Sequence, residues 1–232
     1  MSDCCRSVDD VRAFLHSSKN LDPQERMKFY DSWAPTYERD SETISYRAPN
    51  IVVDFLNRNL PGSHEDVKVL DVACGSGLVG KLMSELGFRN FVGVDGSKGM
   101  LDLAAQSGLY QDLKLALLGT DQLPAQTGAF DLVVIIGALR AGFVPVSVIR
   151  ELWQAAKPGG YVCMSRVDPK SESGEKYKLS MKRELQQMEE EGLWSPVSTG
   201  DMKKYMMDVY HNQKEDEQYL DGTMYLYRKS IS

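Results

Sequence analysis

Val67-Lys68-Val69-Leu70-Asp71-Val72-Ala73-Cys74-Gly75-Ser76-Gly77-Leu78-Val79-Gly80 is the stretch that decides the fold of this 232-residue chain. Its apolar start reads as a buried strand, three glycines break it, and Lys81, Leu82 and Leu86 carry it on as an amphipathic helix. A strand that turns through glycines into a helix forms a nucleotide-binding corner. The glycines let backbone approach a ligand, and the helix N-terminus offers unpaired N–H groups.

Gly75, Gly77 and Gly80 match G-x-G-x-x-G, a spacing shared by dinucleotide enzymes and enzymes of S-adenosylmethionine (SAM). Asp71 helps to choose between them. It ends the strand four residues before Gly75, where its carboxylate is expected to face the ligand loop; it would repel a pyrophosphate and attract the sulfonium and ammonium of SAM. Its other reading is a cap on the next helix. The second strand ends in Phe91-Val92-Gly93-Val94-Asp95-Gly96-Ser97, which places Asp95 twenty residues after Gly75, where an acid receives ribose hydroxyls. Ser97 is the better N-cap there. Met100, one turn on, either lies against an adenine face or fills core. The third strand runs into Leu118-Gly119-Thr120-Asp121, and the fourth ends in Ile136-Gly137-Ala138. Both ends border one crevice, where the Thr120 N–H or the Asp121 side chain could read an adenine edge.

The rest of the chain is consistent with one α/β unit. Hydrophobic residues make up 42% and charged residues 26%, an ordinary soluble balance, and the net charge of -6 offers no footprint for nucleic acid. Cys4, Cys5, Cys74 and Cys163 have no C-x-x-C spacing, and His16, His64 and His211 lie far apart, so neither a disulfide framework nor a metal site is expected. Charged residues at the start argue against a signal peptide, and the longest apolar run, residues 132–139, is too short to span a membrane. A cytoplasmic protein, also admissible in the nucleus, is the expectation.

Residues 1–60 read as an N-terminal helical cap packed on a core of residues 61–232. The first twenty look loosely held, though Val8, Val11, Phe14 and Leu15 have helical spacing. Asp22-Pro23-Gln24-Glu25 opens a helix with Met27, Phe29, Tyr30 and Trp33 before Pro35 interrupts it. Another begins near Pro49, with Ile51, Val52, Phe55 and Leu56 on one stripe. Strands are expected at 68–72, 90–94, 114–118, 131–136 and 160–166, and helices at 78–86, 98–107, 145–157 and 177–191, with a sharp turn at Pro158-Gly159-Gly160. Met202, Tyr205, Met206, Val209 and Tyr210 have helical spacing, although the fold suggested below wants a strand nearby; Asp221-Gly222 reads as a tight turn, and 223–227 as a last strand.

Taken together, these motifs resemble the class I SAM-dependent methyltransferases. Phe29-Tyr30-Asp31-Ser32-Trp33-Ala34-Pro35-Thr36-Tyr37, Tyr46-Arg47-Ala48-Pro49 and the glycine corner carry the likeness, which spans about residues 21–163. It implies a Rossmann-like three-layer α/β/α sandwich, with a seven-stranded, mostly parallel sheet and an antiparallel C-terminal hairpin. It also implies SAM as cofactor, with S-adenosylhomocysteine (SAH) as product. Asp71, Ala73, Cys74, Gly75 and Gly77 would hold the methionine end; Asp95, Gly96 and Ser97 the ribose; Met100, Gly119, Thr120 and Asp121 the adenine. Ile136 and Gly137 would lie beside the ligand. Trp33 and Tyr37 would form a lid, or else a packing stripe, and Arg47 would meet the methionine carboxylate. Where many relatives carry an acid for the adenine amino group, Gly119 stands, so Asp121 must substitute.

No side chain announces itself as a catalytic base. Ile136-Gly137-Ala138-Leu139 replaces the Asn-Pro-Pro-Tyr element of nucleic-acid amino methyltransferases, which favours a small-molecule or protein acceptor. The alternatives are a catalytically silent SAM-binding interaction protein and, on the glycine spacing alone, an NAD(P)-dependent oxidoreductase.

Overall fold

The computed structural model describes residues 6–19, 21–168, 171–209 and 219–231; Cys4, Cys5, Tyr210 and His211 lie outside them. Strand β1 (Lys68–Val72) sits at the middle of the sheet, and its last four residues are buried. Parallel neighbours cover both its edges: β2 (Asn90–Asp95) sets Val92 beside Leu70, and β4 (Phe130–Ile135) sets Val133 on the other side. A strand buried on both faces calls for a near-continuous apolar run; Val69, Leu70 and Val72 supply it, with Asp71 the one polar member of the buried stretch.

The sheet is completed by β3 (Tyr110–Leu115), β5 (Ala156–Val167), β6 (Trp194–Met207) and β7 (Tyr219–Lys229), in the order β3-β2-β1-β4-β5-β7-β6. β7 runs antiparallel to both β5 and β6, so the expected seven-stranded sheet with its antiparallel hairpin is present. The pleat sends Val69, Leu132 and Val134 to one face and Leu70, Val133 and Ile135 to the other. α1 (Val8–His16), α4 (Ala48–Asn59) and α5 (Leu78–Glu85) cover the first face. α7 (Val148–Ala155) and α8 (Glu172–Glu190) cover the second. α2 (Pro23–Trp33), a 3₁₀ turn at Ala34–Thr36 and α3 (Tyr37–Thr43) lead in, and α6 (Lys98–Gln106) joins β2 to β3.

Several local expectations change. The start is a capped helix: Ser7 and Asp10 form a capping box, and Val11 and Leu15 are buried. β3 begins four residues earlier than expected, because an edge strand tolerates polar Gln111 and Asp112. α7 starts only at Val148, and Pro158-Gly159-Gly160 lies inside β5 as an irregularity against β4. Met202, Tyr205 and Met206 belong to β6. The register shifts between Met202 and Met206, and Lys204 adopts φ 53°, so a bulge brings all three inward and imitates helical spacing. Asp221-Gly222 is within β7, where a Cβ on Gly222 would lie 2.6 Å from the Arg166 carbonyl oxygen. That glycine serves strand approach and makes no turn.

Candidate active site

The glycine corner reaches its shape through left-handed backbone at Ala73 (φ 55°), Gly75 (φ 55°) and Gly77 (φ 88°). Beneath it, Asp95 at the end of β2 accepts the Gly75 N–H on Oδ2 and the Ser97 N–H on Oδ1, each at 2.8 Å. Burial pushes the Asp95 carboxyl up from its ordinary value, while the N–H groups of Ser97, Gly75 and Gly96 pull it back. The corner is thus locked to the acid that the sequence singles out.

Above these residues lies a cleft of about 770 Å³. Ala73, Gly75, Asp95, Gly96 and Met100 form its floor, Leu117, Leu118, Ile136, Gly137 and Val144 one side, and Met27, Tyr30, Tyr37 and Tyr46 the wall opposite. Eight expected residues therefore meet in one cleft: Tyr37, Ala73, Gly75, Asp95, Gly96, Met100, Ile136 and Gly137. Trp33 lies behind, donating its Nε1–H to Asp40 at 2.8 Å and lining a second chamber.

Asp71 is turned away from the cleft. It accepts a hydrogen bond from the Tyr110 hydroxyl at 2.7 Å, and burial pushes its carboxyl up to about 7. A Cβ on Gly80 would lie 2.5 Å from that hydroxyl, and one on Gly77 3.1 Å from the Tyr110 ring, so two of the motif's glycines make room for this tyrosine. Cys74 is buried, and Ser97 caps α6 by accepting the Met100 N–H. Arg47 is exposed at the start of α4.

The loop meant for adenine closes on itself instead. Asp121 Oδ2 accepts the Leu117 N–H at 2.8 Å, and the Thr120 and Asp121 N–H groups both go to the Leu117 carbonyl. Gly119, at φ 85°, would put a Cβ 2.3 Å from Pro145, so no acid fits there. Leu117 and Leu118 reach the cleft in place of these three.

Several residues at or beside the cleft were not singled out for the site from the sequence. Asp31 on α2 accepts from Ser97 Oγ at 2.6 Å and from the Gly99 N–H at 2.8 Å, which fastens the N-terminal helices to α6. Arg26 and Arg140 stack on Phe143 at 4.2 and 3.5 Å from its centroid. Tyr30 and Tyr46 stood in the aromatic motifs and were available; the Phe143 loop carried no signal.

The lining fits an adenosyl sulfonium: apolar walls for a flat base, one carboxylate within reach of hydroxyls, and tyrosine faces for a cation. Among the described residues no cluster could hold a metal, and no helix is long and apolar enough to cross a membrane.

Comparison with known proteins agrees with this geometry. Residues 63–220 match the family described as "Methyltransferase domain". Human methyltransferase-like protein 27 is 43% identical over 189 residues, covering 81% of this chain and 76% of the relative. A ubiquinone biosynthesis O-methyltransferase of Bordetella avium is 31% identical over 157 residues, covering 66% of this chain and 65% of its own length. The SAH-bound magnesium protoporphyrin IX methyltransferase of Synechocystis superposes with a TM-score of 0.53 at 18% identity, over 78% of this chain and 82% of that one.

Proposed function

Since the chain belongs to the class I SAM-dependent methyltransferases, we propose that the cleft binds SAM with Asp95 on the ribose hydroxyls and that the acceptor is a small molecule. Asp95 carries the reading, because it is the acid in a cleft otherwise built of apolar and aromatic side chains, glycine backbone and the stacked Arg26. The relatives that methylate an oxygen in ubiquinone biosynthesis support a small acceptor. Within the class, residues 29–37, 46–49 and 70–77 support a kinship with the methyltransferase-like protein encoded in the Williams–Beuren syndrome region.

When bound, SAM supplies an activated methyl group for in-line displacement. The chain's own work is alignment and exclusion of water. Asp95 and the Gly75 loop fix the nucleoside, Met100 and Leu118 flank the base, and Tyr30, Tyr37 and Tyr46 close the reacting end. Burial raises the Tyr37 and Tyr46 hydroxyls above their ordinary value, so they stay protonated and leave nucleophile activation to the acceptor.

Titration calorimetry with SAM, SAH and NAD tests the assignment. SAM and SAH should bind and NAD should not, and Asp95→Ala should weaken SAM by about 1.5–3 kcal/mol through loss of charged hydrogen bonds. Unchanged affinity would remove Asp95 from the site. Labelled methyl transfer into cell extract, absent with Asp95→Ala, separates an enzyme from a silent SAM binder.

A further inference from the structure

A second chamber of about 460 Å³ adjoins the cleft at the carboxyl end of β4. The two share Tyr30, Tyr37, Tyr46 and Gly137, so this wall is where anything held in one faces the other. Five aromatic rings line the chamber, those three tyrosines with Trp33 and Tyr205, and Leu15, Ile44 and Met206 add aliphatic surface. Trp33 meets Tyr37 edge-to-face at 4.8 Å, and Tyr46 meets Tyr205 at 5.5 Å, which leaves ring edges and faces for a further ring. Gly137 is what permits the junction: a Cβ there would lie 2.2 Å from the Tyr46 hydroxyl and 3.1 Å from that of Tyr205.

The chamber's chemistry is as selective as its shape. No carboxylate, histidine or lysine stands among its described lining residues, and the one formal charge is the Arg140 guanidinium. A protonated amine would find a like charge and nothing to take its proton. A neutral phenol would also keep its proton, since no base stands among those described lining residues to take it. An acceptor that arrives already ionised needs no base, and the Arg140 guanidinium offsets part of the cost of burying its charge.

We propose that this chamber is the acceptor subsite and that it takes a one-ring aromatic anion, an ionised acidic phenol or thiophenol. The inference rests on the reading of the neighbouring cleft as the SAM site. The phenol's proton is lost to water before binding. The anion's lone pair then forms the new bond to the methyl carbon as the carbon–sulfur bond breaks, and that bond's electron pair stays on sulfur as a neutral thioether.

Calorimetric titration of the SAH-loaded protein, above the phenol's own pKa, tests the assignment. We expect para-nitrophenolate to bind at sub-millimolar concentration and para-nitrobenzylamine not to bind. Met206→Trp, which fills the chamber without lining the cleft, should weaken para-nitrophenolate roughly tenfold or more and leave SAH affinity unchanged. Met206→Phe, a smaller intrusion, should do the same if tryptophan prevents folding. Three results overturn the assignment: no binding of para-nitrophenolate at millimolar concentration, equal binding of the amine, or indifference to both substitutions. Failure of SAH itself to bind in the loading step would instead remove the SAM reading, and the chamber's role with it.

Discussion

Asp71 is the residue whose role the structure changes most. Its carboxylate is sealed under the glycine corner, tied to Tyr110, with Asp95 close enough to raise it further. An acid whose pKa climbs on folding binds its proton more tightly in the folded state, so stability falls as pH rises from the unfolded value of 3.8 to about 7 and levels off above. Asp71→Asn keeps an acceptor for Tyr110 and removes that slope. Relative to the variant, the wild type should lose up to roughly 4 kcal/mol across this window, read as chemical denaturation midpoints at a series of pH values; parallel profiles would show that Asp71 does not titrate there. A second residue, Gly119, stands where the family resemblance implies an acid. Gly119→Asp meets Pro145 and a left-handed backbone, and should cost more than about 1 kcal/mol of stability without tightening SAM. That an acidic residue sits at 71 and at 95 was legible; which one faces the cleft was not, because Tyr110 reaches Asp71 only once β3 is placed.

The decisive element contact is α2 on α6. Gly96 and Gly99 leave space for it: a Cβ on Gly96 would lie 2.5 Å from Met27 Sδ, and one on Gly99 3.0 Å from the Asp31 Cα. Asp31 then supplies the acceptor for the Ser97 hydroxyl and the Gly99 N–H. Asp31→Ala should destabilise the protein by about 1–2 kcal/mol and speed hydrogen exchange in α2 while the sheet stays protected; uniform loss of protection would refute a local clamp. α2's start could be read from Asp22 and Pro23 because a cap is local chemistry. β3 and β6 could not be read so well, since an edge position and a bulge are properties of pairing.

Across the whole molecule, the N-terminal helices and the sheet each supply one wall of the cleft, so ligand binding must hold them together. SAM at a hundred times its Kd should stabilise the protein by about 2.7 kcal/mol, visible as a rise in Tm, and should slow exchange in α2 and α3; a rise in Tm without protection there would make the aromatic helices a fixed scaffold and not a closing wall. The sequence by itself determined the α/β class, the β1–glycine–α5 corner, Asp95 and the aromatic N-terminal helix, because apolar periodicity, glycine spacing and helix caps act over a few residues. Only the tertiary structure decided that Asp71 turns to Tyr110, that the adenine-side loop closes on itself, and that five rings from α2, α3, the turn after it and β6 enclose a chamber beside the cleft. Those contacts join residues as much as 175 positions apart, from Tyr30 to Tyr205, and no local pattern encodes them.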